Sequence, residues 1–369
     1  MKAMILAAGK GTRVQPLTYE LPKPMIPILG KPVLAYLIEH LARYGVREIM
    51  INTSYLHEKI EGYFGDGHNY GVEIGYSFEG RMVNGKVVPH PIGSAGGLRK
   101  IQDFGGFFDE TTLVLCGDAL IDLDINLALN EHRRRGAMVS VITKEVGWDD
   151  VSNYGVVVAD ESGRIQQFQE KPQRSQAKSN WVSTGIYIFE PQVIDLIPPG
   201  EVFDIGGDLF PMLVTRGMPF YAQKRSFNWI DIGKISDYWA VLQQVMKGTV
   251  AGMEIPGKQL REEVWVGLNT RIDWDDVKIQ GPVYIGSGCR IEPGSEIIGP
   301  AWIGQGSVLE KGSRVVRSML FEYTHIPAGA TFDEVIVCNE YCVDRHGHQT
   351  HIADRHPQLV WSDARAAAC

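Results

Sequence analysis

Two hydrophobic patterns alternate along the first two-thirds of the chain. Short apolar runs of strand length are separated by stretches in which apolar residues recur every three or four positions, as in "KPVLAYLIEHLARYG" (31–45), which ends in a glycine. This alternation predicts a largely parallel sheet with helices on both faces, in which ligands bind beyond the carboxyl ends of the strands. Predicted strands are 4–8, 47–54, 112–118, 136–143, 154–160 and 183–189, and predicted helices are 31–45, 55–64 and 236–248.

The pattern changes after Gly248, and from Val283 onwards apolar residues recur at a strict spacing of six with Gly or Pro between them. This spacing is typical of hexapeptide repeats, and it predicts a left-handed parallel β-helix whose aliphatic residues point into a shared core. Val266 and Ile279 extend the pattern backwards. The predicted core residues are Ile285, Ile291, Ile297, Ile303, Leu309, Val315 and Phe321.

These two patterns predict an α/β domain over residues 1–250, a β-helix domain over 251–345 and a C-terminal tail over 346–369. The tail is rich in histidine, but no strand or helix signal fixes its geometry. We therefore interpret it as a polar surface segment rather than a metal site. Its histidines are His346, His348, His351 and His356.

Composition narrows the class of protein. The 369 residues carry a formal net charge of -8, which argues against extensive nucleic-acid binding but leaves room for a local basic pocket. No apolar run is long enough to span a bilayer, and the N-terminus begins a strand after one lysine rather than a signal peptide. The five cysteines lack Cys-x-x-Cys spacing, as in reduced cytosolic proteins. We expect a cytoplasmic protein that does not contact membranes.

A glycine loop follows the first predicted strand, in "ILAAGKGTR" (5–13), and "PKP" (22–24) comes shortly after it. The loop is not a dinucleotide fingerprint, because Val14 replaces the third glycine, and it is not a P-loop, because Lys10 lies between the glycines. Two interpretations remain open. The loop amides, with Arg13 and Lys23, face a polyphosphate, or the loop is a plain turn with solvated charges.

The combination of "LAAGKGTR" and "PKP" resembles the signature of sugar-1-phosphate nucleotidylyltransferases, and the resemblance continues along the chain. "GSAGGL" (93–98) is similar to the family's loop under the nucleobase, and "LCGDAL" and "WIDIGK" are similar to its two metal motifs. "YGVV" and "FQEKP" are similar to its sugar-phosphate contacts. The resemblance implies a Rossmann-like, GT-A-like nucleotidyltransferase domain with a mixed sheet over 1–250.

The resemblance also implies roles for individual residues. Catalytic roles fall to Arg13, Lys23, Asp118, Lys171 and Asp231, with Mg²⁺ held by Asp118 and Asp231. Nucleotide contacts are implied for Leu6, Ala8, Gly9, Gly11, Thr12, Arg13, Gly93, Ser94 and Gly96, and sugar-phosphate contacts for Gly155, Glu170, Lys171 and Thr184. Taken from the residues alone, Asp118 is equally a turn residue after a buried strand, and Lys171 an ordinary loop lysine. Asp231 lies between two isoleucines, where a carboxylate needs a partner or a metal.

The chemistry of the implied reaction suits this residue set. A sugar 1-phosphate is already largely dianionic at neutral pH, so it needs no general base to attack the α-phosphorus of a nucleoside triphosphate. Catalysis then depends on holding two anions together and neutralising charge on the leaving pyrophosphate, which requires cations and a hard metal ion.

The resemblance favours UTP and glucose 1-phosphate as the small-molecule substrates, with GDP-mannose synthesis as the main alternative and glucose-1-phosphate thymidylyltransfer after it. No residue fixes the base, because Val88 stands where many uridylyl- and thymidylyltransferases have Gln. The sugar is equally open, because Ser183 stands at the sugar contact where many relatives have Asn. Residues 78–91 have the look of an insertion, consistent with a flap. We expect a homo-oligomer.

Two other classes of protein compete with this interpretation. Hexapeptide solenoids often serve acyltransferases, but such an enzyme needs a base histidine within the repeats, and His325 is the one there. A non-catalytic regulator that binds sugar nucleotides would not need the retained set Arg13, Lys23, Asp118, Lys171 and Asp231. We expect the solenoid to have a structural, oligomerising or weakly allosteric role.

Overall fold

The computed structural model describes residues 1–250, 253–354 and 360–366. Its contacts divide the chain into two compact units. The first unit comprises Met1–Lys10 and Leu34–Trp229, and the second comprises Gly11–Val33 and Ile230–Cys369. Residues 11–33 and 230–250 thus group with the repeats rather than with the sheet. The domain limits at 250 and 345 stay predictions.

A nine-stranded mixed sheet forms the centre of the first unit. Its parallel half contains the predicted strands at the start of the chain. Beyond Thr112–Cys116 the pairing is antiparallel, except between Val139–Glu145 and Phe220–Lys224, which are parallel. The prediction of a largely parallel sheet is therefore correct for one half only. In spatial order the strands are Ile165–Glu170, Gly155–Ala159, Trp181–Phe189, Thr112–Cys116, Lys2–Leu6, Glu48–Thr53 and Glu73–Phe78, while Val139–Glu145 pairs with Trp181–Phe189 and with Phe220–Lys224.

Helices cover this sheet, and a buried core of apolar side chains includes Met4, Val114 and Phe189 from the strands with Leu98 and Phe210 from the helices. The helix predicted over 31–45 is Val33–Arg43, and its apolar face is buried as its spacing predicts. The other helical segments are His57–Phe64, His68–Tyr70, Ser94–Gly105, Ile125–Arg134, Val151–Asn153, Arg174–Gln176, Pro191–Leu196, Ile205–Leu209 and Phe210–Thr215. The remaining short strands are Gly80–Val83, Lys86–Pro89 and Ala119–Ile121, and Trp229–Asp231 spans the passage to the second unit.

The second unit begins with a compact segment, residues 11–33. It contains the short helical turns Thr12–Val14, Leu17–Glu20 and Lys23–Met25 and a small hairpin of Pro27–Ile28 with Lys31–Pro32. The helix Ile235–Met246 belongs to the same unit, and its Tyr238 hydroxyl donates a hydrogen bond to the Pro27 carbonyl at 2.5 Å.

Three parallel sheets form the solenoid, as the six-residue spacing predicts. Strands one coil apart pair in register, so that Ile285 pairs with Ile303 and Ile297 with Val315. The sheets are Val264–Val266, Val283–Ile285, Ala301–Ile303, Met319–Leu320 and Val335–Val337; Arg271–Ile272, Arg290–Ile291, Val308–Leu309 and Thr324–Ile326; and Lys278–Gln280, Glu296–Ile298, Arg314–Val316 and Thr331–Asp333. Lys258–Arg261 pairs antiparallel with the first of these strands.

Six of the seven predicted core residues of the solenoid lie in one buried cluster, from Ile285 to Val315, but Phe321 is wrong. Leu320 takes the core position and pairs with Ile303, while the Phe321 ring packs on Trp302 with centroids 5.6 Å apart. The corner before this strand turns at Arg317, whose φ is +42°, and it moves from Val315 to Leu320 in five residues instead of six. The shorter corner shifts the register by one.

The segment after residue 340 is more ordered than a surface tail. Tyr341–Asp344 and Gln349–His351 extend one solenoid sheet antiparallel, and Ser362–Asp363 pairs with Thr324–Ile326. The Trp361 ring is buried in the core, which covers the end of the last coil as a solenoid requires. His356 lies outside the described residues. Between residues 1 and 366, leaving out the two undescribed gaps, no helix combines the length and apolar character needed to cross a membrane.

Candidate active site

The glycine loop opens where three parallel strands of the first unit end. Leu6, the last residue of the first strand, pairs with Asn52 on one side and Cys116 on the other. The Gly117 amide donates to the Leu6 carbonyl at 3.0 Å, so Asp118 follows at the same edge of the sheet as the loop. A Cβ at Gly9 would have nothing within 4 Å, which leaves the backbone open to a ligand at this residue. The predicted placement of the loop and of Asp118 beyond the strand ends is confirmed.

A series of buried hydrogen bonds holds the start of this loop in place. The sequence alone did not predict these bonds. The Ala7 amide donates to Asn52 Oδ1 at 2.8 Å, and Asn52 Nδ2 donates to Glu79 Oε1 at 2.6 Å. The other carboxylate oxygen of Glu79 accepts from the Ile92 amide at 3.2 Å. Glu79 is 2% exposed, and this burial raises the pKa of its carboxyl. The chain of bonds ties the glycine loop to the predicted nucleobase loop.

The predicted nucleobase loop leads into the helix Ser94–Gly105, and its glycines have a packing reason. A Cβ at Gly93, where φ is +81°, would lie 2.4 Å from the Phe203 carbonyl oxygen, and one at Gly96 would lie 2.9 Å from the Glu201 carbonyl oxygen. The Ser94 hydroxyl donates to Asp204 Oδ2 at 2.7 Å. The loop is therefore shaped by close contact with residues 201–204, and its nucleotide contacts stay a prediction.

The predicted sugar-phosphate residues of the first unit fall into two environments. Glu170 and Lys171 pair at 2.7 Å with both side chains partly exposed, and Lys171 has a φ of +42°. A Cβ at Gly155 would lie 2.4 Å from Cζ of Phe168 and 3.2 Å from Glu170 Oε2, so this glycine makes room for the ring and for the carboxylate. The Thr184 hydroxyl instead donates to the Ile142 carbonyl inside the sheet at 2.8 Å. The Glu170–Lys171 pair is thus the accessible part of this set.

Three predicted catalytic residues come together in the second unit. Lys23 Nζ lies 3.7 Å from Asp231 Oδ1, with the two side chains 12% and 19% exposed. A Cβ at Gly233 would lie 3.4 Å from Asp231 Oδ2 and 4.0 Å from Arg13 Nη1, which places both groups around this glycine. Arg13 itself is exposed, while Lys23 and Asp231 are largely buried. Two cations and a carboxylate in one cluster suit a polyphosphate and its counter-ion.

Asp237 is a charged neighbour that the sequence did not reveal. Its Oδ2 accepts from the Lys234 amide at 3.0 Å at the start of the helix Ile235–Met246, and it would lie 3.0 Å from a Cβ at Gly233. Burial raises the pKa of Asp237, partly offset by the nearby charges of Lys234 and Arg13. A fourth ionisable group therefore belongs to the surroundings of the cation cluster.

The predicted metal ligands are carboxylates, the type of ligand that a hard divalent ion prefers. Within residues 1–250, 253–354 and 360–366, no group of three or more His, Cys, Asp or Glu side chains could hold a metal ion. Mg²⁺ in phosphate chemistry is ordinarily held by one or two carboxylates together with phosphate oxygens and water. Asp118 and Asp231 are carboxylates, and their role as metal ligands stays a prediction.

Comparison with known proteins identifies the family. Residues 2–248 match the family model described as nucleotidyl transferase. The chain belongs to the nucleotidyl transferase family. It is 51% identical to a UTP–glucose-1-phosphate uridylyltransferase of Synechocystis over 100% of this chain and 95% of the relative. It is 31% identical to a mannose-1-phosphate guanylyltransferase of Mycobacterium tuberculosis over 80% of this chain and 77% of that relative.

A solved structure gives the same result for the fold. The crystal structure of a putative glucose-1-phosphate thymidylyltransferase from Bacillus anthracis aligns with a TM-score of 0.56 and 25% identity over 70% of this chain and 98% of that one. The predicted resemblance to sugar-1-phosphate nucleotidylyltransferases is confirmed, and the chain is an enzyme of nucleotidyl transfer. Members of this family generally use a divalent metal ion.

Proposed function

We propose that this nucleotidyl transferase forms UDP-glucose and pyrophosphate from UTP and glucose 1-phosphate. The observation that carries the choice of substrates is the 51% identity to a uridylyltransferase of that name over the whole chain. The cluster of Arg13, Lys23 and Asp231 supports the reaction class, because it supplies positive charge and a carboxylate close together in the second unit.

The side chains of this enzyme position and neutralise rather than transfer protons. Arg13 and Lys23 bind the β- and γ-phosphates of the triphosphate and stabilise the leaving pyrophosphate. Asp231 keeps the Lys23 ammonium within 3.7 Å and so fixes its direction. Lys171 binds the incoming sugar phosphate, and Glu170 accepts hydrogen bonds from sugar hydroxyls. The attacking phosphate is already dianionic, so the residues need only hold it in line.

We propose Mg²⁺ as the metal ion, held by Asp118 and Asp231. When bound, the ion would neutralise charge on the α- and leaving phosphate oxygens. Phosphate oxygens and water would supply its other ligands. In the described part of the chain, no three His, Cys, Asp or Glu side chains come together as a metal-binding group. The cytoplasmic location and the homo-oligomer expected from the sequence stay predictions.

The structure disfavours an acyltransferase. His325, the base histidine that such an enzyme would need, bonds through Nδ1 to Ser362 Oγ at 2.8 Å and through Nε2 to Glu310 Oε1 at 2.9 Å. Both ring nitrogens are therefore occupied, one by the strand Ser362–Asp363 and the other by the preceding coil. A purely regulatory role is disfavoured by the retained charge cluster around Gly233.

A substrate matrix tests the proposal. The four nucleoside triphosphates are each combined with glucose, mannose and N-acetylglucosamine 1-phosphates and Mg²⁺, and pyrophosphate release is measured. We expect UTP with glucose 1-phosphate to give the highest kcat/KM, and Asp118→Ala and Asp231→Asn to lose several orders of magnitude in kcat while remaining folded. A preference for GTP with mannose 1-phosphate would mean that these two compounds, and not UTP and glucose 1-phosphate, are the substrates. Wild-type rates in the two aspartate variants would contradict the assignment of Asp118 and Asp231 as catalytic residues.

A further inference from the structure

The last turn of the solenoid contacts the segment that carries Arg13 and Lys23, within the second unit. The rings of Tyr19 and Tyr341 lie 5.1 Å apart between centroids, tilted by 51°. Next to them, the Glu340 amide donates a hydrogen bond to Glu20 Oε1 at 3.1 Å. These two contacts join residues that are 320 or more positions apart in sequence. The short helix Leu17–Glu20 therefore rests on the turn Cys338–Tyr341.

The solenoid side of this contact is held firmly. The Cys338 amide donates to the Tyr341 carbonyl at 2.7 Å and closes the turn. The buried Trp361 indole donates to the carbonyls of Cys338 and Asn339, both at 3.1 Å. On its other side the Tyr341 ring packs against His351, with centroids 4.9 Å apart. The turn is thus fixed by the capping strands of the solenoid, and it offers a rigid surface to Tyr19 and Glu20.

On the other side, the short helix is linked to the cations. The Thr18 hydroxyl donates to the Gly11 carbonyl at 2.9 Å. A Cβ at Gly11 would lie 2.9 Å from Cβ of Lys23 and 3.0 Å from Cγ2 of Thr18, so these three residues are in close contact. A displacement of the helix Leu17–Glu20 therefore moves Gly11 and Lys23, and Arg13 follows Gly11 by two residues.

We propose that the turn Cys338–Tyr341 is a positioning element for triphosphate binding: it fixes Tyr19 and Glu20, and through them it orients Arg13 and Lys23. This inference rests on the proposed function, since it takes Arg13 and Lys23 as the groups that bind the triphosphate. It gives the hexapeptide solenoid a part in nucleotide binding. Tyr19, Glu20 and Tyr341 are positioning residues and do not touch the substrate.

The test is a kinetic comparison of full-length Tyr341→Ala, Tyr19→Ala and the double variant, with UTP, glucose 1-phosphate and Mg²⁺. We expect the KM for UTP and the inhibition constant of pyrophosphate to rise about 2- to 10-fold in each single variant, as the loss of one aromatic pair predicts. The KM for glucose 1-phosphate stays unchanged. The double variant is no worse than either single one, because the same contact has been removed.

Two controls separate positioning from general stability. Tyr341→Phe keeps the ring and restores the wild-type KM for UTP. Leu268→Ala removes a side chain that is 83% exposed on the first coil, and it leaves all constants unchanged. A loss of folded enzyme alone would lower the apparent kcat without raising one KM selectively. If Tyr341→Ala does not fold, Tyr19→Ala carries the test, since Tyr19 is exposed.

An unchanged KM for UTP in folded Tyr341→Ala and Tyr19→Ala overturns the inference. Should the wild-type enzyme release no pyrophosphate with any triphosphate, the proposed function fails instead. In that case hydrogen exchange tests the contact between the helix Leu17–Glu20 and the turn Cys338–Tyr341. Amides of residues 12–26 should exchange faster in Tyr341→Ala than in wild type and Leu268→Ala, and equal exchange in all three proteins would refute the contact.

Discussion

Gly11 is tightly packed within residues 11–33, the cation segment that carries Arg13 and Lys23. Its φ is +63°, and a Cβ there would lie 2.9 Å from Cβ of Lys23. Gly45 has a similar backbone conformation, with a φ of +84°, but a Cβ there would have nothing within 4 Å. The two glycines therefore share a conformational cost on substitution and differ in crowding.

This pair gives a matched prediction. Gly11→Ala and Gly45→Ala should each lose about 1–2 kcal/mol of unfolding free energy through the strained backbone. Only Gly11→Ala should also raise the KM for the nucleoside triphosphate, by about tenfold, because it displaces Lys23. Denaturant unfolding and steady-state kinetics check both effects. Equal KM values in the two variants would show that the crowding at Gly11 has no part in binding.

Glu79 supports a second residue-level prediction. Its two carboxylate oxygens accept from Asn52 Nδ2 and from the Ile92 amide, and an amide side chain has only one acceptor oxygen. In Glu79→Gln one of these donors faces an NH₂ group, so we expect residues 92–97 to loosen. Hydrogen exchange of those amides should rise, and the KM for the nucleotide should rise about 3- to 10-fold, as loss of one buried hydrogen bond predicts.

Glu110→Gln is the control for Glu79→Gln, since the Glu110 side chain is half exposed at the N-terminal side of the sheet. It should leave the nucleotide KM and the exchange of residues 92–97 as in wild type. Matching exchange in wild type and Glu79→Gln would mean that the bond to Ile92 does not hold the loop.

The sequence identified residues that carry charge at a motif and missed residues that act through tertiary contacts. Lys23 and Asp231 are predicted from motifs far apart, and the structure brings them within 3.7 Å. Asn52 and Glu79 lie at the end of a strand and in a presumed insertion, and nothing in their local sequence shows that they meet. The Thr184 hydroxyl is used within the sheet because Ile142 on a neighbouring strand accepts its hydrogen bond, which a single-strand pattern does not reveal.

At the level of elements, periodicity predicted the coils but not the corner at which one residue is missing. Seven apolar positions at a spacing of six gave six correct core residues, and Leu320 replaced Phe321 after the tight turn at Arg317. A spacing rule assumes equal corners, and both Leu320 and Phe321 are apolar, so the sequence alone did not decide between them. The same limit applies to the residues after 340, whose hairpin and Trp361 cap have no repeat signal.

The helix Ile125–Arg134 carries a buried titratable group. His132 bonds through Nδ1 to Ser140 Oγ and through Nε2 to Glu190 Oε1, both at 2.9 Å. Burial lowers the pKa of His132 below 6.5, against the opposing effect of Glu190. Burial lowers the pKa of His40 in the same way. The unfolded chain therefore binds these protons more readily than the folded chain.

The lowered pKa values of His132 and His40 make the folded protein less stable in acid. A lowered folded pKa gives stability that is present above 6.5 and is lost as the pH falls below it. We expect the free energy of unfolding to decrease between pH 7.5 and 5.5 by urea titration, and the decrease to be smaller in His40→Gln/His132→Gln. An identical slope in the double variant would assign the loss to other groups.

At the level of the whole molecule, the chain passes between the two units at residues 10–11, 33–34 and 229–230. The hydrophobic patterns predicted a sheet followed by repeats, and they placed the change near residue 250. They gave no indication that residues 11–33 pack with the repeats, because that association depends on contacts such as Tyr19 with Tyr341. Three predicted catalytic residues consequently depend on the folding of the second unit.

That dependence leads to a prediction about cooperativity. Ile303 and Ile188 are fully buried isoleucines, one in the solenoid and one in the central sheet. Replacement of either by Ala should cost about 2–5 kcal/mol of unfolding free energy in its own unit. If residues 11–33 unfold with the second unit, the amides of Val14, Met25 and Ile26, which are bonded within the segment, should lose protection in Ile303→Ala and keep it in Ile188→Ala. Equal protection of these amides in the two variants would separate the cation segment from the solenoid, and faster exchange in Ile188→Ala would assign it to the sheet.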